Sequence, residues 1–181
     1  MRVITGSARG MVLRTLEGND VRPTTDKVKE AIFSAIQFEI EGRKVLDLFG
    51  GCGQLAIEAL SRGADSAVIV DASKKSIDVI RKNLETTGFD KNAVVVNTDA
   101  ISFLSRRAEK YDIALLDPPY SQGLMEKALE KVSDVMNEGG VIVCEAPYGD
   151  EMPESAGPFT LKKKYRYGKT GLFVYRFAGN D

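Results

Sequence analysis

Residues 44–53 read KVLDLFGGCG, a short apolar run that leads directly into a turn with three glycines. A helical pattern follows from Gln54 to Arg62, and further apolar runs occur at 67–71, 93–97, 111–117 and 141–145. Helical patterns separate these runs, at 73–87, 99–108 and 122–137. Strands that are apolar along their whole length and alternate with helices are typical of a parallel sheet covered on both faces. The sequence therefore predicts one α/β domain.

The two ends of the chain follow a different pattern. Residues 1–22 contain short strand-like runs punctuated by Gly6, Gly10 and Gly18, which predicts a small N-terminal β-hairpin extension before a main domain of residues 23–181. Thr24 or Thr25 is expected to cap the helix that follows. Residues 157–177 predict a closing antiparallel hairpin.

The composition excludes several kinds of chemistry. The 181 residues carry a net charge of -1, contain no histidine and contain two distant cysteines, Cys52 and Cys144. Ser-His-Asp and Cys-His catalysis and His-ligated zinc are excluded, and we expect no metal. No apolar run approaches the roughly 18 residues of a membrane span, and the N-terminus lacks the apolar region of a signal peptide. The expectation is a soluble cytoplasmic protein without a membrane partner.

The glycine turn is suited to a nucleoside ligand. Gly50, Gly51 and Gly53 let the backbone approach a ligand closely, and a helix N-terminus offers free N–H groups. Asp71 ends the second apolar run, where a carboxylate can accept hydrogen bonds from ribose hydroxyls. The spacing Gly51-x-Gly53-x-x-Ala56 also satisfies the dinucleotide fingerprint, so an NAD-dependent oxidoreductase is one alternative.

Asp47 helps to distinguish between the possible nucleoside cofactors. Its carboxylate at the strand tip would repel phosphates but attract an ammonium or sulfonium group. S-adenosylmethionine carries both groups and no phosphate, and Asp99 is placed to meet its adenine amine. The predicted cofactor is therefore S-adenosylmethionine, held by Asp47, Gly50, Gly51, Gly53, Asp71 and Asp99.

The most specific motif in the sequence is Asp117-Pro118-Pro119-Tyr120, at the carboxyl end of the fourth predicted strand. Two prolines stiffen the turn, Asp117 and the Pro118 carbonyl are acceptors, and Tyr120 supplies a flat face. Such a site suits a planar base bearing an amine, although a proline-stiffened turn of purely structural use is the alternative. Asp117, Pro118 and Tyr120 are the predicted catalytic residues, acting by orienting the amine toward a methyl group.

These motifs resemble a known family. The chain is similar to the class I, Rossmann-like S-adenosylmethionine-dependent methyltransferases, through Leu115-Leu116-Asp117-Pro118-Pro119-Tyr120. More closely, it resembles the bacterial family that methylates a guanine N2 amine in small-subunit (16S) ribosomal RNA. That resemblance rests on the opening Arg2–Gly10 segment, on Val21–Glu30 with its Arg-Pro-Thr-Thr-Asp run, on Leu46–Phe49 and on Glu58–Ala64.

The resemblance implies a seven-stranded sheet of order 3-2-1-4-5-7-6 whose seventh strand is antiparallel. It implies ribosomal RNA or the assembling small subunit as the partner of a monomeric enzyme. A DNA or other amino-methyltransferase acting on adenine N6 is the alternative with the same site. Two departures are visible: Phe49-Gly50-Gly51-Cys52-Gly53 replaces F-A-G-S-G, and Lys27 and Lys29 stand where arginine is usual.

Basic residues at both ends of the chain are candidates for RNA contact. Four are assigned to RNA: Arg9, Arg14, Arg22 and Lys27. Residues 161–176 add six basic residues and no acidic one. Their Lys162–Lys164 run is interpreted first as a polar strand edge that opposes aggregation and second as an RNA contact.

Overall fold

The computed structural model describes residues 1–18, 24–106, 109–120 and 123–179. The strands are β1 Lys44–Asp47, β2 Ser66–Asp71, β3 Ala93–Asn97, β4 Tyr111–Leu116, β5 Met136–Pro147, β6 Ser155–Ala156, β7 Phe159–Tyr167 and β8 Thr170–Phe177. The helices are α1 Asp26–Ala35, α2 Gln54–Ser61, α3 Lys74–Thr87, α4 Ala100–Ser105 and α5 Leu124–Val132, with a 3₁₀ turn at Ser133–Val135.

Within these residues the strands form a sheet of order β3-β2-β1-β4-β5-β8-β7-β6. Strands β1 to β5 pair with one another in parallel, and β8 is antiparallel to both β5 and β7. The prediction of a mostly parallel sheet with an antiparallel end is confirmed, but the count of seven strands is wrong. The eighth strand, β6, has two residues that pair with Phe159 and Thr160. A strand this short has no periodic sequence signal.

Side-chain caps fix the starts of three helices. The Thr25 hydroxyl accepts from the Val28 N–H at α1, so one of the two predicted caps of that helix is confirmed, and the Ser73 hydroxyl accepts from the Ser76 N–H at α3. Asp99 caps α4 in the same way. The predicted helix at 122–137 is too long, because the chain leaves α5 at Val132 and enters β5 at Met136.

Helices cover both faces of the sheet, as neighbouring strand residues point to opposite sides. Leu115 belongs to the cluster formed with α1, α2 and α3, whereas Leu116 belongs to the cluster formed with α4 and α5. Burial of both faces explains why the strand sequences are apolar throughout. Among the described residues, no helix has the length and apolar character needed to cross a bilayer.

The N-terminal segment folds back on itself and docks on α2. Within residues 1–18 the strand pairing consists of one antiparallel bridge, Arg2 with Val12, flanked by hydrogen bonds from the Val3 N–H to the Met11 carbonyl at 3.0 Å and from the Leu13 N–H to the Met1 carbonyl at 2.8 Å. The expected boundary at residue 22 lies outside the described residues. The backbone N–H groups of Ile4 and Thr5 donate to the Glu58 carboxylate of α2, each at 2.9 Å. Bonds to α2 therefore add to this short pairing, which is less regular than the hairpin that the sequence predicts.

Gly6 allows this close approach to α2. It adopts φ +92°, and a Cβ there would lie 1.8 Å from the carbonyl oxygen of Ser61. The Ser61 hydroxyl donates to the Thr5 carbonyl at 2.6 Å and accepts from the Ala8 N–H at 3.0 Å. Any side chain at position 6 would push the segment off the helix.

Lys29, which stands where arginine is usual in the family that the chain resembles, is buried. Its side chain is 0% exposed, its Nζ lies 3.5 Å from Glu58 Oε2, and it donates to the Arg2 carbonyl at 2.6 Å. A buried ammonium needs such partners, so Lys29 anchors the N-terminal segment and is unavailable to RNA.

Candidate active site

A cleft of about 690 Å³ opens at the carboxyl edge of the parallel strands. Open α/β sheets bind ligands at this edge. Most of the predicted site residues line it together: Gly50, Gly51, Asp71, Asp99, Asp117, Pro118 and Tyr120. The cleft therefore joins the glycine turn to the Asp117–Tyr120 turn in one space.

Asp71 organises the glycine turn. Its carboxylate accepts from the Gly51 N–H and from the Ser73 N–H, each at 2.8 Å. The Gly50 N–H donates to the Val70 carbonyl, and a Cβ on Gly50 would lie 2.5 Å from the Ile69 side chain. The turn therefore packs closely against β2, and the Asp71 carboxylate lies at the cleft wall.

Asp47 lies beneath the turn, at the end of β1. It is 1% exposed, its Oδ2 accepts from the Ala56 N–H at 3.3 Å, and its Oδ1 has no hydrogen-bonding partner among the described residues. Burial, reinforced by the charges of Asp117 and Asp71, raises the pKa of Asp47 to about 7. A carboxylate in this state favours a cationic group placed beside it.

Gln54, which the sequence analysis missed, adds a second orphaned acceptor. It begins α2, lines the cleft, and its buried Oε1 lacks a partner among the described residues. Asp99 lies across the cleft as the cap of α4, where hydrogen bonds from Ser102 hold its pKa below the usual value. Gly53 and Asp47 support the turn from below instead of lining the space.

The Asp117 carboxylate is tied to a residue far away in the chain. The Thr24 hydroxyl contacts Asp117 Oδ2 at 2.8 Å and Glu145 Oε2 at 3.0 Å. Glu145, on β5, was missed by the sequence analysis although it ends the apolar run at 141–145, as Asp71 and Asp117 end theirs. Applying the strand-end argument to the run at 141–145 would have found it.

The basic residues assigned to RNA lie outside the cleft. Arg9, Arg14 and Lys27 are exposed, and none of them lines it. Arg22 falls outside the described residues. The three described side chains therefore take no part in the cleft.

The C-terminal basic run lies on a strand edge. Strand β7 pairs with β8 along its length, and with β6 at Phe159 and Thr160. Lys164 and Arg166 stack over the Tyr148 ring, at 4.4 and 4.8 Å from its centroid. Lysines along such an edge oppose edge-to-edge pairing, which favours the first of the two interpretations of Lys162–Lys164.

Comparison with known proteins identifies the family. The model of the family described as Conserved hypothetical protein 95 matches residues 1–176. YlbH of Bacillus subtilis is 39% identical over 184 residues, covering 99% of this chain and 100% of that protein. Ribosomal RNA small subunit methyltransferase D of Escherichia coli is 31% identical, covering 97% of this chain and 89% of that protein. The solved structure of yhhF from Escherichia coli has a TM-score of 0.88 at 31% identity, covering 98% of this chain and 97% of that one. The chain therefore belongs to the Conserved hypothetical protein 95 family, together with relatives named ribosomal RNA small subunit methyltransferase D.

Proposed function

We propose that this protein is a monomeric, cytoplasmic S-adenosylmethionine-dependent enzyme that methylates the N2 amine of a guanine in small-subunit ribosomal RNA. One observation carries the proposal: the Asp117–Tyr120 turn and the glycine turn line the same cleft. A base held at the first turn would meet a methyl donor held at the second. The names of the relatives supply the ribosomal RNA class of substrate.

The residues of the cleft fit S-adenosylmethionine. The orphaned Oε1 of Gln54 would provide an acceptor at the cleft wall for the cationic part of the molecule, and the buried carboxyl group of Asp47 beneath the glycine turn would add negative charge close to it. Asp71 would accept from the ribose hydroxyls, and Asp99 from the adenine amine. When bound, the cofactor would supply an electrophilic methyl group.

The chain's own residues would prepare the amine. A guanine amine is a weak nucleophile because its lone pair is delocalised into the ring. Hydrogen bonds from that amine to the Asp117 carboxylate and the Pro118 carbonyl would favour a pyramidal nitrogen whose lone pair is directed out of the ring plane. The nitrogen loses one proton as its new bond to carbon forms, and the Asp117 carboxylate is a base within reach. Tyr120, 56% exposed at the mouth of the cleft, would stack on the base.

The test is transfer of a labelled methyl group from S-adenosylmethionine to small ribosomal subunits from a strain that lacks the gene. The expected product is a single N2-methylguanine in the small-subunit RNA, identified by mass after nuclease digestion. Subunits from the parent strain serve as the control, since their site is already methylated. A methylated adenine, or the absence of transfer to both naked RNA and subunits, would overturn the proposal.

A further inference from the structure

Asp117 and Glu145 stand side by side at the carboxyl edge of the sheet. Strands β4 and β5 are parallel and pair Leu116 with Cys144. Asp117 follows Leu116 and Glu145 follows Cys144, so the two acids are neighbours across the strands. The Thr24 hydroxyl contacts both carboxylates. Asp117 Oδ2 and Glu145 Oε2 are therefore no more than 5.8 Å apart, the combined length of those two contacts.

Glu145 reaches the space where a target base would bind. It is 7% exposed, yet it lines both the main cleft and an adjoining pocket of about 450 Å³. Pro118, Pro119 and Tyr120 line both spaces as well. A base stacked on Tyr120 with its amine at Asp117 would thus present its neighbouring edge atom toward Glu145.

Two adjacent carboxylates discriminate between bases that carry an amine. In guanine, the N2 amine and the adjacent N1–H are both donors. In adenine and cytosine, the ring nitrogen beside the amine carries a lone pair, which a second carboxylate would repel. A site built to accept a hydrogen bond strongly rejects an analogue that lacks the donor, because its buried acceptor is left unpaired.

We infer that Glu145 is the specificity-determining residue of this site, accepting the N1–H of guanine while Asp117 accepts from the N2 amine. This inference rests on the proposed function. Thr24 is a positioning residue: its single proton can be given to one carboxylate at a time, and its contacts at 2.8 and 3.0 Å hold the two acids together. Each carboxylate has about four acceptor sites, of which the contact to Thr24 uses one.

The test uses 2-aminopurine, which keeps the N2 amine but has a lone pair at N1. Once labelling has located the methylated guanine, small-subunit RNA is ligated with guanine or 2-aminopurine at that position and reconstituted into particles. Wild-type protein should prefer guanine by at least ~100-fold in kcat/KM. Glu145→Gln, whose amide can donate to the N1 lone pair, should narrow that preference at least tenfold. Glu130→Gln, an exposed change on α5, should keep the wild-type preference.

The outcomes separate the inference from the proposed function. Equal rates on both bases with wild-type protein, or a Glu145→Gln variant that loses activity on both bases by the same factor, would overturn the role of Glu145 alone. Absence of methylation on guanine particles would instead overturn the proposed function. If Glu145→Gln fails to fold, wild-type protein tested on particles with N1-methylguanine decides, since we expect at least a ~100-fold loss when N1 carries no proton.

Discussion

The side-chain amide of Asn83 makes two hydrogen bonds with the backbone of Arg14. The Arg14 N–H donates to Oδ1 at 2.8 Å, and Nδ2 donates to the Arg14 carbonyl at 2.9 Å. The same Nδ2 also donates to the carbonyl of Cys52 in the glycine turn, at 2.8 Å. One buried amide on α3 therefore connects the N-terminal segment to the turn that lines the cleft.

Replacing Asn83 with alanine should weaken both attachments. The change leaves one backbone N–H and two carbonyls without this partner, and we expect a loss of roughly 1–3 kcal/mol in the free energy of unfolding. Urea denaturation measures it, and amide exchange at Arg14 should accelerate. Asn92→Ala is the matched control, because its exposed amide makes one long contact of 3.4 Å with Asp65. Equal stability of the two variants would contradict the role of Asn83.

Asp71→Asn should weaken S-adenosylmethionine binding. An amide presents one acceptor oxygen where the carboxylate has two, and both oxygens already receive backbone N–H groups. Because hydrogen bonds to a charged acceptor are about twice as strong as neutral ones, we expect an affinity loss of at least tenfold. Titration calorimetry checks this, with Asp78→Asn on the exposed face of α3 as the control. An unchanged affinity would remove Asp71 from the cofactor site.

Local patterns predicted the elements better than the contacts between them. The apolar runs located β1 to β5, and the acids at strand ends led to Asp71 and Asp117. The contacts of Thr24 join residues 93 and 121 positions apart, and no local pattern reports such a contact. The burial of Lys29 has no local signal for the same reason, since it depends on Glu58 of α2 and on the docked N-terminal segment.

Removing the N-terminal positive charges should reduce the salt dependence of RNA binding. If Arg9, Arg14 and Arg22 each bind a phosphate, the triple change to glutamine should flatten the slope of log affinity against log salt by roughly 0.7–0.9 for each phosphate no longer bound. The affinity for S-adenosylmethionine should not change. The control is the double change to glutamine of Arg43 and Lys91, which are exposed and lie at the amino ends of the parallel strands, away from the cleft. A slope equal to that of the wild type would assign the three arginines to a solvated surface.

The buried Asp47 should make stability depend on pH. Its pKa is about 7 in the folded protein and 3.8 ordinarily, so between these values the folded state holds a proton that the unfolded state has lost. Stability therefore falls as pH rises through this window. Asn does not ionise, so Asp47→Asn removes the cost of burying the charge. The difference in free energy of unfolding between this variant and the wild type should therefore grow, in favour of the variant, by roughly 2–3 kcal/mol from about pH 5 to about pH 8.

Thermal or urea unfolding at several pH values measures that gain. Asp90→Asn, the same change at an exposed aspartate, is the control. A constant difference in stability between Asp47→Asn and the wild type across the pH range would contradict the raised pKa of Asp47.

Asp117→Asn tests the proposed chemistry most directly. The amide keeps the shape and an oxygen that can accept from Thr24, at 2.8 Å in the wild type, but it loses the charge and presents an NH₂ group in half of its orientations. Since charge-assisted hydrogen bonds are about twice as strong as neutral ones, we expect turnover to fall at least ~100-fold, a barrier increase of ~2.7 kcal/mol.

Single-turnover kinetics on small ribosomal subunits separate this effect from binding. Cofactor and RNA affinities should change little for Asp117→Asn, which is the pattern of an interaction made in the transition state. Tyr120→Ala should instead lower both affinity for the RNA and rate, because stacking also serves the ground state. If Asp117→Asn turns over at close to the wild-type rate, the Asp117–Tyr120 turn is a structural stop between β4 and α5, and the amine must be activated elsewhere.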